Sequence, residues 1–399
     1  MKQCLLIVLM IVSFAVVAQQ KKVMIMEIKN EIDPRIARYV GLALDHAQET
    51  KADIVIIEMD TYGGVLTDAK DIVDLIMAFK APVWVYIDSD AASAGALISI
   101  ACDSIYMAPG ASIGAATVVV GSGEKAPDKY QSYMRSIMRS TAEENGRDPR
   151  IAEAMVDERI EIDSITQSGQ VITFSTSEAI QHGYCEGKVE SVEEILAKNK
   201  IENYTIDRFA IGTSEKIIAF FLNPFISGIL ILVIIGGLYF ELQTPGVGFP
   251  GAAALIALVL YLVPYYLNGL AANWEVITLF LGVTLLALEL FVIPGFGVAG
   301  ISGIALIVGS LILIMLDNDF FDFGLVPMRS ILYATAATVG GVVGGFALLF
   351  IGGSRITKSD AFKRVALMET QDRAQGYTSS SLKESMKGKQ GTSYTVLRP

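Results

Sequence analysis

The chain has 399 residues, 52% of them hydrophobic, a mean hydropathy of +0.50 and a formal charge of −11 at pH 7. So apolar a composition excludes an ordinary soluble enzyme and requires part of the chain to sit in lipid. The acidic balance, with a sequence pI of about 4.8, argues against nucleic acid as a partner, because phosphate binding needs clustered Lys and Arg.

Residues 1–18 read as a secretory signal: Lys2, an apolar run from Leu5, and Val16-Val17-Ala18 before Gln19-Gln20. The run is short for a stable span, with an uncleaved anchor as the alternative, and either form exports the domain expected over 19–190. Cys4 leaves with the signal. Cys102 and Cys185 are too few for a disulfide framework and read as free core thiols, with a pair between them as the alternative.

From Lys22 onward, short β-rich runs alternate with helical ones, the pattern of an α/β layered domain. Residues 23–28, 54–58 and 83–87 are predicted strands, each nearly all apolar and therefore covered on both faces. Asp33-Pro34 supplies an N-cap and a first-turn proline for a helix reaching Glu49. Residues 69–79 and 94–101 predict two more helices, and 104–107 and 112–116 two short strands. A flexible Gly121-Ser122-Gly123-Glu124-Lys125-Ala126-Pro127-Asp128-Lys129 precedes a helical stretch to Glu144 and another over 149–158. Residues 191–216 read as a mixed connector.

Four to five transmembrane helices are expected over 217–352, near 226–240, 252–267, 277–293, 298–316 and 331–351. Several are close to the minimum for a span, roughly 17 to 20 residues. Glu241-Leu242-Gln243-Thr244-Pro245-Gly246-Val247-Gly248 recurs as Glu289-Leu290-Phe291-Val292-Ile293-Pro294-Gly295-Phe296-Gly297. Pro-Gly ends one helix and permits a tight return, so the repeat predicts two related helical hairpins. Glu241 and Glu289 are placed at the interface without chemistry. Five spans return the tail, 353–399, to the cytoplasm. Charge agrees, with Asp317, Asp319 and Asp322 in an outer loop and Lys and Arg spread through the tail.

Ser93 is the candidate nucleophile. It lies in Ala91-Ala92-Ser93-Ala94-Gly95-Ala96, downstream of Asp60-Thr61-Tyr62-Gly63-Gly64. Small neighbours leave space for a substrate backbone, and Gly63 and Gly64 can turn amides toward a reacting carbonyl. Following the second and third strands, both motifs emerge on the carboxyl edge of the sheet, where α/β folds place ligands. A helix beginning at Ser93 also points its positive dipole end at a developing oxyanion. His46 and His182 fall in segments read as helix and turn, so the serine needs a different base, and lysine is the expected one. Alone, a serine at a helix start is more often an N-cap, and a loop lysine more often solvated.

These motifs, with Ala108-Pro109-Gly110-Ala111-Ser112-Ile113-Gly114-Ala115, with Ala126-Pro127-Asp128-Lys129 before a helix and with the Pro-Gly hairpins, resemble the NfeD family of membrane-bound proteases. The soluble domain of that family is similar to ClpP and to signal peptide peptidase A. The resemblance runs from about Lys22 almost to the C-terminus. It implies an α/β ClpP/crotonase-like domain followed by an α-helical multi-span transmembrane domain.

The resemblance implies Ser93 as nucleophile and Lys129 as general base, with Lys125 a competitor on the same loop. An ammonium with a reference pKa of about 10.4 accepts no proton at neutrality, but burial and a helix N-terminus both favour the neutral amine. The amides of Gly64 and Ala94 are candidates for the oxyanion hole, and Gly63 and Gly64 for substrate binding. Where this chain has Tyr62 the family has proline, which alters the local turn. No metal or organic cofactor is implied. Implied partners are stomatin- or flotillin-like membrane proteins, a hydrophobic peptide substrate, the lipid bilayer and further copies of the chain. The implied setting is the cytoplasmic membrane, with the protease domain on its extracytoplasmic side. The alternative is a non-proteolytic scaffold organising stomatin-like partners. Long members end in an OB-like barrel, and residues 391–399 look like its first strand, the start of a truncated module.

Overall fold

The computed structural model describes residues 20–243, 248–293, 297–318 and 326–356, with positions 320–321, 323–324, 388 and 390–391. The expected signal, the two Pro-Gly turns, Asp319, Asp322 and residues 392–399 of the OB-like strand lie outside the described residues.

Strand β1 (Lys21–Ile28) leads into helix α1 (Pro34–Thr50), whose N-cap Asp33 accepts hydrogen bonds from the amides of Arg35 at 3.0 Å and Ile36 at 3.1 Å. Strand β2 (Ile54–Thr61), helix α2 (Leu66–Ala78), strand β3 (Val83–Ala92) and helix α3 (Ala94–Ala101) complete the central motif. β1, β2 and β3 pair in parallel, and their Val, Ile and Met side chains form a core with α1, α2 and α3. Both β2 and β3 run past the predicted strand ends, to Thr61 and Ala92. The reason is a second partner: the first half of β3 pairs with β4 (Ser104–Met107), and its last residues pair with β5 (Ser112–Gly114). Ser93 therefore follows its strand without an intervening loop.

Helices α4 (Asp128–Glu144) and α5 (Pro149–Ala154) follow, then β6 (Thr173–Ser175), α6 (Thr176–Gln181) and β7 (Gly187–Lys188). β6 closes one edge of the sheet antiparallel to β5. The stretch expected as a mixed connector is structured: α7 (Val192–Lys198) leads to β8 (Tyr204–Arg208), which pairs in parallel with β1 at the opposite edge. This strand has no apolar run to betray it, because at the sheet edge its residues after Tyr204 are all exposed. Cys102 and Cys185 are buried and free.

Helix α8 (Thr213–Phe221) links this domain to α9 (Pro224–Gln243), α10 (Phe249–Leu267), α11 (Asn273–Phe291), α12 (Val298–Leu313) and α13 (Met328–Ile356). Four of these, α9, α10, α11 and α13, are long and apolar enough to cross a membrane; α12 is a shorter apolar helix. Glu241 and Glu289 both bond to backbone amides. The Glu241 carboxylate accepts the amides of Gly248 at 3.2 Å and Gly251 at 3.1 Å, and Glu289, only 4% exposed, accepts that of Gly297. Each repeat thus uses a glutamate at the end of one helix to cap the start of the next, satisfying amides that lipid cannot. Glu241→Ala is expected to lower stability by about 1–2 kcal/mol, read as a reduced melting temperature in detergent micelles.

The α/β domain touches one end of the helices. The Arg38 guanidinium donates to the Leu267 carbonyl at 2.8 Å, Arg329 pairs with Glu31, and Gly121 donates its amide to the Gly324 carbonyl at 3.2 Å. The start of α9, the α10–α11 turn and the α12–α13 loop all face this domain.

Candidate active site

Ser93 occupies a sharp strand-to-helix elbow. Its φ of 55° and ψ of −116° lie in a region that L-residues rarely adopt. The surroundings hold it there: its amide donates to the Gly114 carbonyl at 2.9 Å, and its own carbonyl accepts from Ala96 and Leu97 in the first turn of α3. Among the described residues its hydroxyl has no hydrogen-bond partner, so it is not acting as an N-cap.

The glycine pair lies against this elbow. A Cβ on Gly63, whose φ is +104°, would come within 2.6 Å of the Ser93 Cβ and 3.1 Å of the Ala94 nitrogen. One on Gly64 would run into the Ile32 backbone. Ile32 clamps the pair from the far side, its amide donating to the Gly63 carbonyl and its carbonyl accepting from Val65, both at 2.8 Å. Thr61 completes the support by accepting from the Gly63 amide at 3.2 Å and donating to Asn30 at 2.7 Å. The amides of Gly64 and Ala94 form no hydrogen bond within the described structure. Tyr62 is 84% exposed, so replacing the expected proline leaves the turn uncrowded.

Lys129 is the second residue of α4, as expected, but its side chain is exposed, with the ammonium 5.6 Å from the centre of the Tyr130 ring. Among the described residues no hydrogen bond joins it to Ser93. The buried amine expected of a general base is therefore not formed in this conformation. Lys125 instead pairs with Glu158 at 2.8 Å, His46 with Asp207 at 2.8 Å, and His182 stacks on Phe174 at 5.2 Å. The start of α4 is fixed by Arg159, which bonds Asp128 at 3.0 Å and Asp157 at 2.7 Å; that bond and nearby Arg135 hold the Asp157 carboxyl well below its usual range.

Lys129, Val65 and Ile32 line a cavity of about 1170 Å³ between the α/β domain and the membrane helices. Its wall contains a residue that the sequence reading misses. Asp68, in the first turn of α2, is only 7% exposed, and its Oδ2 has no hydrogen-bond partner. The signal is present in the sequence: Asp68, Ile72 and Ile76 share the i, i+4 stripe that α2 buries.

Burial raises the Asp68 carboxyl from 3.8 to about 8, and Asp317, Asp33 and Asp71 add like-charge repulsion. Between those values the folded chain holds a proton that the unfolded chain has lost. Stability attributable to this group therefore falls as pH rises from about 4 to about 8. Asp68→Asn is expected to flatten that part of the profile and raise the melting temperature at pH 8, measured by thermal unfolding in detergent at a series of pH values.

Comparison with known proteins places both halves of the chain. The model described as NfeD1b, N-terminal domain, matches residues 22–209, and NfeD integral membrane domain matches residues 225–352. Membrane protein NfeD1b of Bacillus subtilis (strain 168) is 33% identical over 383 residues, covering 96% of this chain and 84% of that protein. Membrane-bound protease PH1510 of Pyrococcus horikoshii is 27% identical over 301 residues, covering 69% of this chain and 64% of that protein. Among solved structures, the 1510-N membrane protease specific for a stomatin homolog, also from Pyrococcus horikoshii, is 25% identical with a TM-score of 0.39, covering 50% of this chain and 98% of that one. ClpP1 from Listeria monocytogenes is 19% identical with a TM-score of 0.35, covering 43% and 94% respectively.

Proposed function

The chain belongs to the NfeD family of membrane proteins, and from that premise we propose that it is a membrane-anchored serine endopeptidase. The observation that carries the proposal is the Ser93 elbow: a partnerless hydroxyl on a strained turn, packed against Gly63 and close to two amides left without partners. In this reading Ser93 Oγ attacks the scissile carbonyl, and the oxyanion is held by the Gly64 and Ala94 amides. Lys129 Nζ takes the serine proton and returns it to the leaving amine. Because Lys129 is exposed here, the dyad forms only when bound peptide covers the site and dries the amine.

The helices that could span a membrane, with the matched integral membrane domain, make this a multi-pass membrane protein. The proposed arrangement puts the α/β domain outside the cytoplasmic membrane and the tail in the cytoplasm. Proposed substrates are hydrophobic or membrane-proximal peptide segments, and proposed partners are stomatin- or flotillin-like proteins and further copies of this chain. A relative described as specific for a stomatin homolog supports the partner class.

The exposure of Lys129 favours a second reading, in which the fold is kept as a scaffold for stomatin-like partners. Purified full-length protein incubated with hydrophobic peptides separates the two. Cleavage lost in Ser93→Ala and Lys129→Met supports the protease, whereas equal cleavage by both folded variants rejects it.

A further inference from the structure

The cavity between the α/β domain and the membrane helices has an unbalanced charge. Most of the charges around it are matched: Arg35 bonds Asp33 at 2.8 Å, Arg38 bonds Glu215 at 3.0 Å, and Arg329 pairs with Glu31. Asp68, Asp71 and Asp317 are left without a hydrogen-bond or ion-pair partner among the described residues, against Lys129 as the remaining cation. Asp68 is the telling one, since a carboxyl oxygen more than nine-tenths buried and unpartnered is costly unless a ligand satisfies it. The wall is shared between the two parts of the chain. Asp68 and Asp71 stand on α2, whereas Asp317 comes from the loop after α12, beside Leu222, Tyr265 and Met315 of the helical part. Val65, directly after the Gly63-Gly64 pair, and Lys129 also line the cavity, and Gly63 packs against Ser93, so the cavity adjoins the elbow.

We propose that this cavity is a specificity subsite that takes a lysine or arginine side chain of the peptide substrate, between Asp68 on the α/β domain and Asp317 on the membrane loop. The inference rests on the proteolytic reading of Ser93 and adds a basic residue to the substrate class. An apolar segment fills the wall made by the helices, and its basic flank supplies a cation that Asp71 and Asp317 lack and that favours the ionised form of Asp68. A neutral isostere leaves the Asp68 oxygen unsatisfied, and an acidic side chain adds a further negative charge beside Asp71 and Asp317.

The test separates binding from chemistry. Full-length Ser93→Ala protein in phosphatidylcholine nanodiscs is titrated with fluorescent apolar peptides that differ at one position, lysine against norleucine or glutamate. The lysine peptide is expected to bind about tenfold more tightly than the norleucine peptide, a preference lost in Asp68→Asn and in Asp317→Asn. The second variant keeps the test valid if the first misfolds. Equal affinity for lysine and norleucine, or a lysine preference that survives both substitutions, overturns the subsite. Cleavage of the norleucine peptide by the protein with Ser93 intact, and its loss in Ser93→Ala, reports on the proteolytic reading alone.

Discussion

Ser93→Ala is expected to lower kcat/KM on an apolar peptide by about 10⁴-fold or more, with KM nearly unchanged, measured with full-length protein in detergent or nanodiscs. The expectation follows from the elbow. Alanine keeps the Cβ and the same unusual φ of 55°, so the packing against Gly63 survives while the attacking oxygen is lost. Ser93→Gly is the informative companion. Glycine adopts this backbone without strain, so this variant is equally inactive but at least as stable as the original, the difference being of order 1 kcal/mol. A protein that lost activity in both variants only because it unfolded would show no such split. Lys129→Met is expected to reduce kcat by about 10²–10⁴-fold, the range of a lost general base, and to remove the acidic limb of the pH–rate profile.

Gly63→Ala carries the second large effect. The added Cβ would stand 2.6 Å from the Ser93 Cβ and 3.0 Å from the Ala92 carbonyl oxygen, at a φ of +104° that alanine resists. Something must move, and Ile32 and Thr61 hold the other side of the loop. In the proposed mechanism the displacement falls on the elbow, tilting the Gly64 and Ala94 amides away from the oxyanion they would share. Loss of one such donor costs roughly 10²–10³-fold in kcat, so a drop of that size is expected, with the melting temperature lowered by a few degrees. Unchanged cleavage by a folded Gly63→Ala protein would remove this loop from the mechanism.

The elbow is legible in the sequence because its requirements are local. Small residues beside Ser93 and two glycines after an apolar strand describe positions where side chains do not fit, and the structure places them in contact. The α/β layering and the apolar helices are legible for the same reason, since each follows from a short periodic pattern. The setting of Lys129 is not local. Its cavity is closed by residues from the 260s to the 330s, whose approach no pattern near Lys129 encodes. β8 escapes notice because an edge strand does not require an unbroken apolar run, and Asp68 because one carboxylate on an apolar stripe looks like a surface residue until its far side is seen to be covered.

The contact between Gly121 and the loop before α13 bears on how this protein can be dissected. The turn at Gly121 stands eight residues before Lys129, and its backbone is held by Gly324 on one side and approached by the Met328 amide at 3.5 Å on the other. A soluble fragment ending after Arg208 keeps Ser93, both glycines and Lys129, yet loses these anchors and one wall of the cavity. Its turn gains conformational freedom, and on the proteolytic reading Lys129 must then be ordered by peptide alone at an added entropic cost. On that reading, kinetic constants from such a fragment describe a looser enzyme than the one in the bilayer, and the ratio between the two measures how much the membrane part contributes to placing the lysine.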